Sequence, residues 1–209
     1  MTISLSDTGK RYNRDWIFRH LSYQFVSGSS YAIVGPNGSG KSTLLQTISG
    51  AVLVNEGSIR YQENETTLAD EQVHRYLSMC APYLELIEEM TAIELLDFHV
   101  QFKPFLAGID TSAALAIVGL TAARNKQIRY FSSGMKQRLK LAQAFFSDTP
   151  VLLLDEPCTN LDKEGITLYR SLLDNYTKER IVIISSNDPA EYSTCQTQLA
   201  ITDYSSSVN

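Results

Sequence analysis

The eight residues Gly35-Pro-Asn-Gly-Ser-Gly-Lys-Ser42 constrain this chain more than any other stretch. They match G-x-x-x-x-G-K-[ST] at every fixed position. An apolar run, Tyr31–Val34, precedes them and a helix-like run, Thr43–Ser49, follows, so the segment reads as strand, loop and helix. Glycines let the backbone curl until successive N–H groups point at one phosphate. The helix behind the loop adds its dipole and free donors. The expected contacts are Asn37, Gly38, Ser39, Gly40, Lys41, Ser42 and Thr43. Lys41 sets a positive charge against the outer phosphates, and the Ser42 hydroxyl completes the shell of a magnesium ion. The motif therefore implies binding of ATP with Mg2+, and ATP hydrolysis.

A second apolar run ends in acid: Val151-Leu-Leu-Leu-Asp-Glu156. It reads as a buried strand, and strand C-termini in parallel sheets face the ligand crevice. Asp155 is the expected magnesium ligand, acting through water. Glu156 is the expected catalytic group, polarising the attacking water in line with the terminal phosphorus. Two solvated carboxylates at a strand end are the plain alternative. The phosphate loop argues against it.

Ile181–Ser185 is a further apolar run, and helical patterns lie between the runs. In Gly134–Ser147, Met135, Leu139, Ala142 and Phe146 share one face, with Lys136, Arg138 and Lys140 off it. Thr91-Ala-Ile-Glu94 has the pattern of a capping box. Strands alternating with helices predict an α/β fold whose sheet is mainly parallel, with right-handed crossovers. Thr91 to Ser147 reads as mostly helical, an insertion between the loop-bearing strand and the later core strands. Alternation such as Leu21–Val26 in the first 30 residues predicts antiparallel strands at an edge. The expected organisation is a single domain over 1–209. About 1–90 and 148–209 form the nucleotide-binding core with its antiparallel part, and about 91–147 form a helical subdomain. Ser205–Ser207 reads as a frayed end.

The formal net charge of −5 over 209 residues supplies no bulk attraction to nucleic acid, so none is expected as a partner. Cys80, Cys158 and Cys195 are far apart and lack metal-ligand spacing, which fits reduced thiols of a cytosolic protein. The first residues lack a signal-peptide pattern, and no apolar run approaches the roughly 20 residues that cross a bilayer. Were the protein to work at a membrane, another chain would have to hold it there.

The combination resembles the nucleotide-binding subunit of ATP-binding cassette (ABC) transporters, from Tyr12 to the segment around Asp188. Phe131-Ser-Ser-Gly-Met-Lys-Gln-Arg138 is similar to the family signature L-S-G-G-Q and stands shortly before Val151–Glu156, as in the family. Thr159-Asn-Leu-Asp162 looks like the family's D-loop. The resemblance implies a P-loop core of ABC ATPase type with an N-terminal antiparallel β subdomain and an inserted helical subdomain. It also implies a head-to-tail dimer of two such subunits with two ATP molecules at the interface. Each nucleotide lies between one subunit's phosphate loop and the other's Ser132 and Gly134. Ser132 and Ser133 also suit a plain helix N-cap. Asp162 is implied to couple the two sites, and it equally suits the N-cap of a helix over Lys163–Tyr176. Tyr12 lies where the family keeps an aromatic that stacks on adenine. Trp16 is a nearby competitor, and an exposed ring without a role is the alternative.

Three departures stand out. Asn187, in Ser185-Ser-Asn187-Asp188, replaces the usual histidine at the γ-phosphate. Its amide can donate a hydrogen bond but carries no charge and shuttles no proton, which implies reduced but real hydrolysis. The family's Q-loop glutamine is not evident near Met79-Cys-Ala-Pro82, and Gln72 and Gln101 fall outside that region. Glu85, Glu88 and Glu89 follow, as a surface for a membrane partner or as a solvated face. The signature has Ser133 and Met135 where Gly and Gln are usual, in a form similar to some exporter subunits.

The resemblance implies the ATPase subunit of a membrane transporter, an exporter by its short length. It would lie peripherally on the cytoplasmic face of the membrane, with a transmembrane permease subunit on a separate chain and a second copy as dimer partner. Two alternatives are a soluble ABC ATPase of translation or DNA repair and an ATP-gated regulatory module with little turnover. Neither long coiled coils nor a second cassette favours the former.

Overall fold

A computed structural model describes residues 1–64 and 66–205. Ser206 and Ser207 of the expected frayed end lie outside the described residues. Five strands form a parallel sheet: β3 (Ser30–Val34), β6 (Leu77–Cys80), β7 (Val151–Asp155), β8 (Ile181–Ser185) and β9 (Thr197–Ala200), in the order β6-β7-β8-β3-β9. Four strands form an antiparallel sheet: β1 (Thr2–Tyr12), β2 (Asp15–Val26), β4 (Glu56–Glu63) and β5 (Thr66–Thr67), in the order β2-β1-β4-β5. The helices are α1 (Lys41–Ile48), α2 (Ala92–Val100), α3 (Thr111–Ile117), α4 (Ser133–Phe146), α5 (Lys163–Tyr176) and α6 (Pro189–Tyr192).

The predicted α/β class with mainly parallel core and antiparallel part is what the structure has. The three apolar runs are β3, β7 and β8, and β2 carries the alternation at Leu21–Val26, with Leu21 and Phe25 buried and Ser22, Gln24 and Val26 exposed. Strands β1, β4, β5, β6 and β9 are additions to that reading. β7 and β8 are buried along their whole length because both faces meet a core. Leu152, Leu154, Val182 and Ile184 pack with α2, α4 and α5, whereas Val151, Leu153, Ile181 and Ile183 pack with β1, β2 and α1.

Residues 91–147 hold three of the helices and no named strand. α2 opens with the expected capping box: the Thr91 hydroxyl accepts from the Glu94 N–H, and the Glu94 carboxylate accepts from the Thr91 N–H at 2.8 Å. His99 on this helix is half-buried. Ser147 Oγ donates to the Gln143 carbonyl at 2.6 Å, so it accepts from His99 Nε2 at 2.8 Å, which fixes the neutral Nε2–H tautomer. Burial, reinforced by Lys103, pushes His99 from 6.5 down to about 4.

Arg180, immediately before β8, is a buried cation held by neutral oxygens through its terminal nitrogens, with Nε left unpaired. Its guanidinium donates at 2.8 Å to each of the Phe145 carbonyl, Ser78 Oγ and Thr149 Oγ1, joining the end of α4 to β6 and to the entry of β7.

Two outcomes follow for stability. Arg180→Met leaves the Phe145 carbonyl without its donor and should lower the unfolding free energy in urea by about 2–3 kcal/mol. His99 stays neutral in the fold below the pH at which the unfolded chain protonates it. Its contribution is therefore complete above pH 6.5 and drains away as pH falls toward 4. Melting temperature should drop across that window, and His99→Gln should flatten the slope there.

Candidate functional site

The loop Gly35–Gly40 leaves the C-terminal end of β3 and enters α1 at Lys41. Gly40, the N-cap of α1, has φ +98°, in the region that costs a side-chain-bearing residue about 1–2 kcal/mol. A Cβ there would also stand 2.2 Å from Ile17 Cγ2. The first-turn amides of Lys41, Ser42 and Thr43 are the free donors of a helix start. Lys41 is only 5% exposed, and its ammonium donates to the carbonyls of Gly35 at 3.0 Å and Pro36 at 3.1 Å, which holds it under the loop.

Two strand ends complete this edge. Asp155, the last residue of β7, is 1% exposed, and its Oδ1 is buried without a hydrogen-bond partner. Glu156 turns off the strand at φ +42°, with its N–H donating to the Ser185 carbonyl at 2.8 Å. Beyond β8, Asn187 Nδ2 donates to Asn37 Oδ1 at 2.9 Å. The structure thus brings Asn37 to Thr43, Asp155, Glu156 and Asn187 to the ends of three neighbouring strands. The donor types fit a magnesium ion: the unpaired carboxylate oxygen that ends β7 and the serine hydroxyl in the first turn of α1 are the hard oxygens that this ion takes.

A second cleft, of about 370 Å³, is lined by Ser132, Gly134, Arg138, Asn160, Leu161 and Asp162 among others, and by no residue of Gly35–Ser42. Ser132 Oγ caps α4 by accepting from the Met135 N–H at 3.2 Å. Asp162 Oδ1 caps α5 by accepting from the Gly165 N–H at 2.8 Å. That bond first, then nearby Arg138, holds the Asp162 carboxyl below its usual range. A Cβ at Gly134 would lie 3.1 Å from the Asn160 carbonyl, so glycine lets signature and D-loop segments touch.

Tyr12 ends β1 with its ring 47% exposed and Lys10 Nζ 5.0 Å from the centroid. Trp16 is half-buried beneath the guanidinium groups of Arg11 and Arg19, at 5.4 and 4.5 Å. Of the two rings Tyr12 is the one open to a ligand. Glu88 pairs with Lys136 and Glu89 with Arg129, so two of the three acidic residues of that loop are engaged within the chain.

Sequence reasoning missed three residues. Gln137 is buried and donates to the Pro157 carbonyl at 2.7 Å, tying α4 to the turn after Glu156. Glu191 Oε1 accepts from the Cys158 N–H at 2.7 Å and braces the same turn. Tyr83, in the loop after β6, is 44% exposed, and partial burial pushes its hydroxyl up to about 12. Glu191 and Tyr83 had no motif to mark them, and Gln137 sits between two charged neighbours.

A phosphate loop after a parallel strand, with paired carboxylates ending the strand two places away, defines a nucleotide-binding α/β protein. Residues 18–159 match the ABC transporter family. The chain is 30% identical over 195 residues to the uncharacterized ABC transporter ATP-binding protein YybJ of Bacillus subtilis, covering 90% of this chain and 86% of that one. It is 36% identical over 153 residues to the cytochrome c biogenesis ATP-binding export protein CcmA of Xylella fastidiosa, covering 73% and 68%. The dimeric structure of MJ0796, a bacterial ABC transporter cassette, has the same fold, with a TM-score of 0.78 at 22% identity over 95% of this chain and 94% of that one. The chain belongs to the ABC transporter family and is one of its ATP-binding subunits. Among the described residues, no helix is long and apolar enough to cross a membrane.

Gly40→Ala should weaken ATP binding at least tenfold in calorimetric titration, since strained φ and the contact with Ile17 both displace the loop. Adding Ile17→Ala should recover part of the affinity, because it removes the contact and leaves the φ strain.

Proposed function

We propose that this chain hydrolyses ATP with Mg2+ to drive export through a transmembrane permease on a separate polypeptide, from a peripheral position on the cytoplasmic face of the membrane. The observation that carries the reading is the convergence of Gly35–Thr43, Asp155, Glu156 and Asn187 at one sheet edge. The export direction is supported by likeness to CcmA, named as an export protein. The chain acts as one domain over 1–209, its core about 1–90 and 148–209 and its helical subdomain about 91–147.

In this reading Lys41 and the loop amides neutralise the outer phosphates, and Tyr12 stacks on adenine. Ser42 and Asp155 hold magnesium, which when bound offsets charge on the phosphate oxygens. Glu156 accepts the proton of the attacking water. Asn187 donates one amide N–H to the γ-phosphate while the other remains on Asn37. The second cleft completes a nucleotide site on another copy of the chain. Ser132 still has its hydroxyl proton to donate after capping α4, Gly134 allows close backbone approach, and Asp162 sits at the joint between the two sites. Asn187 also supports a second reading, an ATP-gated module with weak turnover, because a neutral amide stabilises developing charge less than an imidazolium.

Steady-state phosphate release by the purified protein with its membrane partner separates the readings. Glu156→Gln should lower turnover about 10²–10⁴-fold with nucleotide binding kept. Asn187→His should raise turnover by about tenfold, the worth of one charge-assisted hydrogen bond. An unchanged rate in Asn187→His would remove the role given to Asn187, and undetectable turnover in the native protein would leave the gated module.

A further inference from the structure

One peptide unit just beyond β7 is held by side chains from two helices. Glu156 leaves the strand at φ +42°, and next comes Pro157, whose ring fixes its own φ. The following dihedral, ψ of Pro157, is set by how the Pro157–Cys158 peptide plane is turned. The carbonyl of that plane accepts from Gln137 Nε2 on α4 at 2.7 Å, and its N–H donates to Glu191 Oε1 on α6 at 2.7 Å. The C=O and N–H of a planar trans peptide point in opposite directions, so the two side chains grip it from opposite sides. Both grips are dry, with Gln137 3% and Glu191 5% exposed. Both are anchored. Gln137 sits inside the 14-residue helix α4, and the Glu191 carbonyl accepts from the Tyr169 hydroxyl of α5 at 2.9 Å. Backbone groups close the rest of the turn: the Glu156 carbonyl accepts from the Thr159 N–H at 3.1 Å, and the Cys158 carbonyl from the Leu161 N–H at 3.0 Å.

We propose that Gln137 and Glu191 are positioning residues for the reaction: by clamping the Pro157–Cys158 peptide, they fix the direction in which Glu156 presents its carboxylate to the attacking water. The inference rests on the reading of Glu156 as the group that accepts the water's proton. Its physical basis is the backbone conformation of Glu156. A positive φ at a residue with a side chain persists only where the surroundings hold it, and the clamp grips the chain one residue further on. Glu191 Oε2 is buried without a partner, so this position bears the cost of a buried carboxylate to supply one acceptor. An apolar side chain would fill the same space without that cost. The elements that supply the clamp also matter. α4 begins at Ser133 beside the second cleft, and α6 begins two residues after Asn187, so the clamp ties Glu156 to both.

The test uses the full chain purified with its membrane partner. Turnover of ATP with Mg2+ and affinity for a non-hydrolysable ATP analogue are measured side by side. Gln137→Met and Glu191→Met each keep side-chain length and remove one hold on the peptide. Each should lower kcat about tenfold with analogue affinity unchanged, because a small displacement of a reacting group acts on the chemical step. Glu191→Gln keeps an acceptor for the Cys158 N–H and should recover most of the loss. In a Glu156→Gln background, single-turnover hydrolysis should fall no further on adding either methionine, since residues that act through one group are not additive. Analogue binding reports that each variant is folded, and either methionine variant alone carries the test. A further tenfold loss in the Glu156→Gln background overturns the proposal, because the clamp would then serve something other than Glu156. Native kcat in the methionine variants overturns it as well, and so does a Glu191→Gln rate as low as that of Glu191→Met. If Glu156→Gln itself turns over ATP at the native rate, the failure lies in the reading of Glu156, and the clamp loses its role with it.

Discussion

The parallel pairing of β7 with β8 and of β8 with β3 is the constraint on which the rest of the molecule depends. In that register Asp155 stands opposite Ser185 and Ser185 opposite Ile33, so three strands finish level and their loops open on one edge. Hydrophobic burial alone fixes this weakly. Both faces of β7 and β8 are apolar, so a one-residue slip would still bury every side chain. Backbone bonds beyond the strand ends continue the same register. Glu156 N–H binds the Ser185 carbonyl and Ser186 N–H the Ile33 carbonyl at the site end. At the other end Ile181 N–H binds the Pro150 carbonyl and Val182 N–H the Ser29 carbonyl. The ladder thus runs on to the residues that carry the phosphate loop, the carboxylates and Asn187.

The second cleft shows how folding and recognition share residues. A helix N-cap uses a side-chain oxygen as acceptor, which leaves the hydroxyl proton of a serine free. Ser132 can therefore cap α4 and still offer a donor. Asp162 makes both its contacts, to Gly165 and Arg138, through Oδ1. The plain helix-cap reading of each residue is correct as structure, and it leaves the functional reading open because the two draw on different atoms.

What was legible in the sequence follows from the same physics. β3, β7 and β8 could be read because burial on both faces writes a continuous apolar run. β6, Leu-Ser-Met-Cys, could not: Ser78 is buried because Arg180, distant in sequence, donates to it. β1 shifts register three times against β2, which erases its alternation. β9, Thr-Gln-Leu-Ala, is an edge strand with one buried side chain. Candidate site residues could be named from the sequence where a motif fixes spacing to chemistry, as for Lys41, Ser42 and Asp155. Gln137 and Glu191 act across strand ends, and nothing local distinguishes them from a helix glutamine or a surface acid.

Several departures from ordinary folding rules lie at the phosphate-loop edge, and others lie elsewhere in the fold, such as the positive φ of Asp7, Asn13 and His20. Glu156 has positive φ without being glycine, and Ser39 Oγ, Asp155 Oδ1 and Ser185 Oγ are buried without partners. Each departure costs stability, of order 1–3 kcal/mol. All four lie on or beside the ends of β3, β7 and β8, whereas the buried Arg180 cluster at the opposite end, also polar and dry, satisfies most of its donors. Arg180 Nε, Glu63 Oε2 and Glu191 Oε2 are also buried without hydrogen-bond partners, so unpaired groups are not confined to this edge. At the phosphate-loop edge, the unpaired oxygens of Ser39, Asp155 and Ser185 leave bonding capacity beside the loop, which supports the proposed phosphate and magnesium contacts there.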